Sequence, residues 1–175
     1  MISSLYKGLD MMCFDDGKID GVVLMPYKKN MDKRGWLVEI FRTDELDAAL
    51  TPAMAYISAT IPGITRGPHE HVDQTDFFGF IGPSTFKVYL WDARKHSATC
   101  GKRMVFLAGE AEPMAVLIPP GVVHAYRNVG KEIGWVFNGP NRLYAGKGKK
   151  EKVDEIRHEN VSNSPYIIDE PMELS

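Results

Sequence analysis

The chain has 175 residues, 44% hydrophobic and 25% charged, the balance of one soluble globular domain, and residues 1–175 read as a single unit with a substantial core. A net charge of −2 gives no electrostatic reason to expect nucleic acid or a membrane surface as partner. No apolar run approaches the roughly 18 residues of a membrane span, and Met1-Ile2-Ser3-Ser4-Leu5 opens no basic-then-apolar leader. Cys13 and Cys100 make neither a disulfide framework nor a zinc pair, so a cytoplasmic location with free thiols is expected.

In chain order, short β-branched and aromatic runs alternate with Gly, Pro and Asn. Gly21–Met25, Gly35–Phe41 and Met54–Thr60 read as strands. Thr43 is a candidate N-cap for a helix over Asp44–Leu50. Phe77–Ile81 stops at Gly82-Pro83, Thr85–Trp91 follows, Met104–Leu107 stops at Gly109, Ala115–Ile118 stops at Pro119-Pro120-Gly121, and Ile133–Phe137 stops at Gly139-Pro140. Strands at such spacing argue for a sandwich or barrel. Phe77, Phe78, Phe80, Phe86, Tyr89 and Trp91 are expected to pack in the core or on a sheet face, and Asp92 and Arg94 to form a structural ion pair. Lys147, Lys149, Lys150 and Lys152, diluted by Glu151, Asp154 and Glu155, read as a solvated face. From Asp154 to Ser175 a short helix and an extended tail are expected.

Two motifs stand out. His69, His71, Asp76 and Gly82 form H-x-H-x4-D-x5-G, and Pro119, Gly121, His124 and Asn128 form P-x-G-x2-H-x3-N. Residues i and i+2 of a strand share a face, so His69 and His71 project together. His124, just past a turn, can reach that face, and Asp76 supplies an oxygen. Three imidazoles and a carboxylate suit Mn, Fe, Ni, Co or Zn, and spacing does not choose among them. The alternative is a polar pocket of neutral histidines without metal. His96 and His158 match neither motif and read as surface residues.

These motifs resemble those of the cupin superfamily, which implies an all-β fold: a double-stranded β-helix, or jelly-roll barrel, with a few short helices. More of the chain resembles the dTDP-4-dehydrorhamnose 3,5-epimerase family. Asp32–Phe41 resembles its D-x-R-G-x-F-x-E-x-F segment, Ser58–His69 its S-x-S-x-x-G-x-x-R-G-L-H, Asp92–Lys102 its D-x-R-x-x-S-P-T-F-G-K, and Leu117–Ala125 the segment holding I-P-E-G-F-A-H-G.

That resemblance implies proton abstraction beside the ketone of a nucleotide-linked 4-keto sugar, with His69 as base. It implies substrate contacts from Arg66 and His124, and from Arg34 and Glu39 across a homodimer interface. No nucleotide cofactor is implied. The chain also departs from the family pattern. Asp76 falls near the family's Lys, and His71 takes the place of a Gln. Phe137 aligns with the acid Tyr, leaving Tyr144 as the nearest tyrosine, and Glu159 is the nearest carboxylate to orient the base. His71 and Asp76 are the residues a metal-binding cupin has, and a divalent cation there supplies Lewis-acid chemistry. The rival readings are a metal-dependent cupin enzyme acting on another small molecule and a non-catalytic sugar-nucleotide or metal-binding module.

Overall fold

The eight expected runs correspond to eight of thirteen strands among residues 13–168, which are those the computed structural model describes. They are β1 (Asp15–Asp16), β2 (Val23–Pro26), β3 (Asn30–Asp32), β4 (Gly35–Leu37), β5 (Tyr56–Thr60), β6 (Thr65–Glu70) and β7 (Asp76–Phe80). Then follow β8 (Thr85–Asp92), β9 (Lys102–Gly109), β10 (Met114–Ile118), β11 (Val122–Asn128), β12 (Gly134–Asn138) and β13 (Ile156–Arg157). One sheet runs β1-β9-β8-β11-β6-β13, the facing one β2-β10-β7-β12-β5, and β3 with β4 forms a separate hairpin. This is the jelly-roll architecture that the resemblance implies, within the sandwich-or-barrel class for which the strand spacing argues.

Alternation along β11 shows how sequence positions the site. Val122, His124, Tyr126 and Asn128 are all buried, and the apolar members face Phe78, Phe80, Phe86, Val88, Leu90 and Val136 between the sheets. Val123 and Ala125 face the other way, onto Tyr89, Trp91 and Tyr166. Burying each large apolar side chain is worth about 1.5–3 kcal/mol, so the register of β11 is strongly fixed. His124 therefore occupies a core-facing position. The six aromatics expected to be core are all buried.

Three local expectations fail. The strand expected over Gly35–Phe41 ends at Leu37. The expected helix over Asp44–Leu50 is only a 3-10 turn, Ala48–Leu50, capped by Asp47 accepting from the Ala49 amide at 2.8 Å. Seven residues are too few to offset the cost of helix nucleation, and an Asp in mid-segment favours capping over continuation. No helix forms from Asp154 to residue 168, where β13 and turns occur instead. The rest of that stretch, 169–175, lies outside the described residues. A second 3-10 turn spans Lys147–Lys149. No helix among the described residues is long and apolar enough to cross a membrane.

Candidate active site

The site begins with an irregularity in β6. His124 pairs with His69 and Tyr126 with Arg66, so β6 spends one more residue than β11 over that interval. Such a bulge restores two residues three apart to the same face. Arg66 and His69 consequently both line one cavity of about 1400 Å³. Gly67 makes this possible. Its φ is +83°, and a Cβ there would meet the His124 carbonyl oxygen at 2.5 Å.

His69, His71 and His124 place ring nitrogens within 4.8 Å of one another. Asp76, the first residue of β7, sets Oδ2 3.4 Å from His71 Nε2 and 3.2 Å from His124 Nε2. Burial pushes the Asp76 carboxyl up to about 6. It also brings His69 down to about 4, with the Glu155 carboxylate pulling the other way. Burial holds His124 well below the usual imidazole range. His69 and His124 are thus neutral near pH 7. The four residues singled out as metal ligands do converge, with His124 on β11, the strand paired with β6.

Around this floor the cavity is lined by Tyr56, Ser58, Tyr126, Asn138, Tyr144 and Glu155. Tyr126 Oη and Ser58 Oγ share a 2.9 Å hydrogen bond, and Asn138 Nδ2 donates to the same Oγ at 3.1 Å. Arg66 is held by the Thr60 hydroxyl at 2.9 Å and the Ala59 carbonyl at 2.7 Å. Tyr144 is exposed at the rim.

Several site expectations need correction. Phe137 does not face the cavity: it packs on the outer side of its sheet against Phe77 and Phe41. The neighbouring Asn138 is the β12 residue that lines the pocket. Glu159 lies on the cavity wall, but Glu155 is the carboxylate that acts electrostatically on His69. His158 is buried, its Nε2 2.9 Å from Glu70 Oε1, whereas His96 is exposed as expected. Arg34 and Glu39, expected to act across a dimer interface, lie outside this chain's own histidine pocket, and that expectation stands. Arg34 pairs with Asp32 at 2.5 Å, and Glu39 reaches Arg42 at 3.4 Å. Asp92 and Arg94 do form the expected ion pair, at 2.8 Å. The Lys147–Lys152 run is solvent-exposed over Lys147–Lys150 and Lys152, but Lys147, Lys149 and Lys152 also border the cavity mouth.

Sequence reasoning missed Asp154. Its carboxylate accepts from the amides of Val72, Asp73 and Gln74 at 2.7, 2.9 and 3.0 Å, and its main-chain carbonyl accepts from His71 Nδ1. Burial works against the ionised form, but the amide donors hold the Asp154 carboxyl below the usual range. The only trace in sequence is an Asp beside Glu155 in an otherwise basic stretch.

A jelly-roll barrel with histidines and a carboxylate gathered in a cavity between its sheets defines a cupin. Residues 16–151 match the dTDP-4-dehydrorhamnose 3,5-epimerase family, and the chain belongs to that family of sugar-nucleotide epimerases. It is 34% identical over 127 residues to a probable low-salt glycan biosynthesis epimerase, Agl13, of Haloferax volcanii, covering 72% of this chain and 81% of that one. It is 37% identical over 113 residues to the spore coat polysaccharide biosynthesis protein SpsL of Bacillus subtilis, covering 65% and 74%. Its fold is similar to that of a dTDP sugar isomerase from Desulfovibrio desulfuricans G20, with a TM-score of 0.72 at 20% identity over 85% of this chain and 89% of that one.

Proposed function

We propose that the chain epimerises a nucleotide-linked 4-keto-6-deoxy sugar, with His69 as the base. The observation that carries this is the placement of a neutral, largely buried His69 beside Arg66 in a cavity of about 1400 Å³. That volume exceeds the roughly 300–1000 Å³ of ordinary small-molecule pockets and suits a nucleotide sugar better than a free monosaccharide. A ketone acidifies the hydrogens on its neighbouring carbons. His69 takes one, the C–H electron pair becomes the enolate double bond, and the carbonyl pair moves onto oxygen. Glu155 stabilises the imidazolium that results. Tyr144 is the proposed acid, returning a proton from the other face to complete inversion. Arg66, with two of its nitrogens held by Thr60 and Ala59, presents a fixed guanidinium to the substrate. His124 lies buried beside His69, behind the residues that line the cavity.

The working unit is a homodimer in the cytoplasm, in which Arg34 and Glu39 reach the partner's pocket. In support, the β3–β4 hairpin exposes Met31, Trp36 and Leu37, and Ile57 and Trp135 add exposed apolar area on the sheet. Light scattering should give about 39 kDa, twice 19.6 kDa. Arg34→Ala should weaken nucleotide-sugar binding by about 1.5–3 kcal/mol. A monomer, or unchanged binding, would overturn the shared pocket.

The reaction itself is tested by incubating the protein with nucleotide-linked 4-keto-6-deoxy sugars in D2O. Deuterium should enter at a carbon beside the ketone. Binding without exchange across a panel of such sugars would favour a non-catalytic module.

A further inference from the structure

Two imidazoles beside Asp76 have their ring protons already committed. His124 Nδ1 donates to the Val122 carbonyl at 3.0 Å, and His71 Nδ1 donates to the Asp154 carbonyl. A carbonyl oxygen only accepts, so in its neutral form each ring turns an unprotonated Nε2 inward. Both face one atom, Asp76 Oδ2, at 3.2 and 3.4 Å. The other carboxylate oxygen is occupied by Gln74 Nε2 at 2.8 Å. His124 Nε2 is buried with no hydrogen-bond partner among the described residues. Three lone pairs thus converge with no hydrogen between them. A proton on Asp76 bridges to only one Nε2, whereas a cation satisfies all three donors.

We propose that His71, His124 and Asp76 hold one divalent first-row transition ion, with His69 beside it left free as the base. Donors bound at about 2.1 Å and at angles of 90–110° stand roughly 3.0–3.4 Å apart, which matches the two separations to Oδ2. Asp76 makes that approach to no third histidine among the described residues. The surroundings match a metal centre as well. Each ligating imidazole donates its other ring proton to a main-chain carbonyl, the arrangement that fixes tautomer and orientation in metal sites. Asp154 fastens both the His71 ring and the turn carrying Gln74.

Two histidines and one carboxylate leave positions open for substrate. The role of the ion rests on the epimerase reading: bound there it would supply Lewis-acid stabilisation to a developing enolate oxygen, while His69 takes the proton.

The test starts with elemental analysis of untagged protein purified without chelator. Zn(II), Mn(II) and Co(II) are then titrated calorimetrically into protein stripped with EDTA. Close to one ion per chain is expected, with affinity reduced about 100-fold or more in His71→Ala and Asp76→Asn, and retained in His69→Asn. Melting temperatures of the metal-free variants should stay near that of the metal-free parent, showing that the fold survives. A stripped protein that takes up none of the three ions at millimolar concentration would overturn the site. Loss of the ion in His69→Asn as complete as in His71→Ala would overturn the three-ligand assignment. Full deuterium exchange by the stripped protein would remove the ion's catalytic role and leave the epimerase reading standing. Tight metal binding without exchange on any 4-keto sugar would do the reverse.

Discussion

His69 and His124 are direct register partners on adjacent strands, their ring centroids 4.3 Å apart and nearly perpendicular at 71°. The pairing places a solvent-accessible imidazole beside a buried one, and it depends on the extra residue that β6 inserts between Arg66 and His69. The placement of both His69 and His124 therefore rests on Gly67.

Gly67→Ala tests that dependence. The new methyl would have to share space with the His124 carbonyl, at 2.5 Å, on a residue whose φ of +83° disfavours any side chain. A destabilisation of about 1–3 kcal/mol is expected, a fall of roughly 2–12 °C in melting temperature for a chain of this size. Catalysis should suffer further, because β6 must shift where it carries Arg66 and His69. An unchanged melting curve would show that the bulge tolerates a side chain.

His69→Asn should slow solvent-deuterium exchange by about 10²–10⁴-fold while leaving nucleotide-sugar affinity within a few-fold. Glu155→Gln keeps His69, the proposed base, and removes the nearby negative charge that favours its protonated form, so a smaller loss of about tenfold is expected. The two variants are compared by single-turnover exchange followed by mass spectrometry. Exchange undiminished in His69→Asn would mean that another group removes the proton.

How much of this was legible in the sequence differs from residue to residue. His69 and His71 announced a shared face through their spacing, and the turn before His124 marked where β11 begins. Short-range signals of that kind survive folding because strand periodicity is local. Phe137 shows the limit. A one-residue slip in a strand exchanges its two faces, and the sequence resemblance aligned Phe137 with the family's acid tyrosine when Asn138 is the β12 residue that faces inward. Asp154 was illegible for another reason: it meets His71 across 83 residues, and only the closed barrel brings them together. Glu155 was overlooked in favour of Glu159 in the same way, since β13 fixes which acidic residue approaches His69.

Asp154→Ala removes the acceptor shared by the amides of Val72, Asp73 and Gln74. The main-chain carbonyl that holds His71 remains, but the turn beside it loses its anchor. The expected cost is about 1–3 kcal/mol of stability, read from urea unfolding. Hydrogen exchange should accelerate at those three amides more than at the β8–β11 core. Protection unchanged at Val72, Asp73 and Gln74 would show that the carboxylate does not organise the turn.

The last prediction concerns acid stability and lies away from the pocket. Asp92 is fully buried and accepts from Arg94 Nε at 2.8 Å, Ser97 Oγ at 2.6 Å and Thr99 Oγ1 at 2.6 Å. Burial alone would raise its carboxyl, but these donors together outweigh it and hold the group well below the usual carboxylate value. A depressed folded-state value means that the unfolded chain takes up the proton first as pH falls. The contribution of Asp92 is therefore complete above about pH 4 and disappears progressively below it. Asp92→Asn, which leaves the Arg94 guanidinium without its carboxylate, should cost about 3 kcal/mol at neutral pH, a drop of roughly 6–12 °C in melting temperature. The difference between parent and variant should shrink steadily from pH 4 towards pH 2, as protonation removes the charge that the substitution has already removed. Urea midpoints measured across that range check the sign, and a gap that stays constant or widens on acidification would show that the ionised Asp92 is not what holds this corner of the barrel.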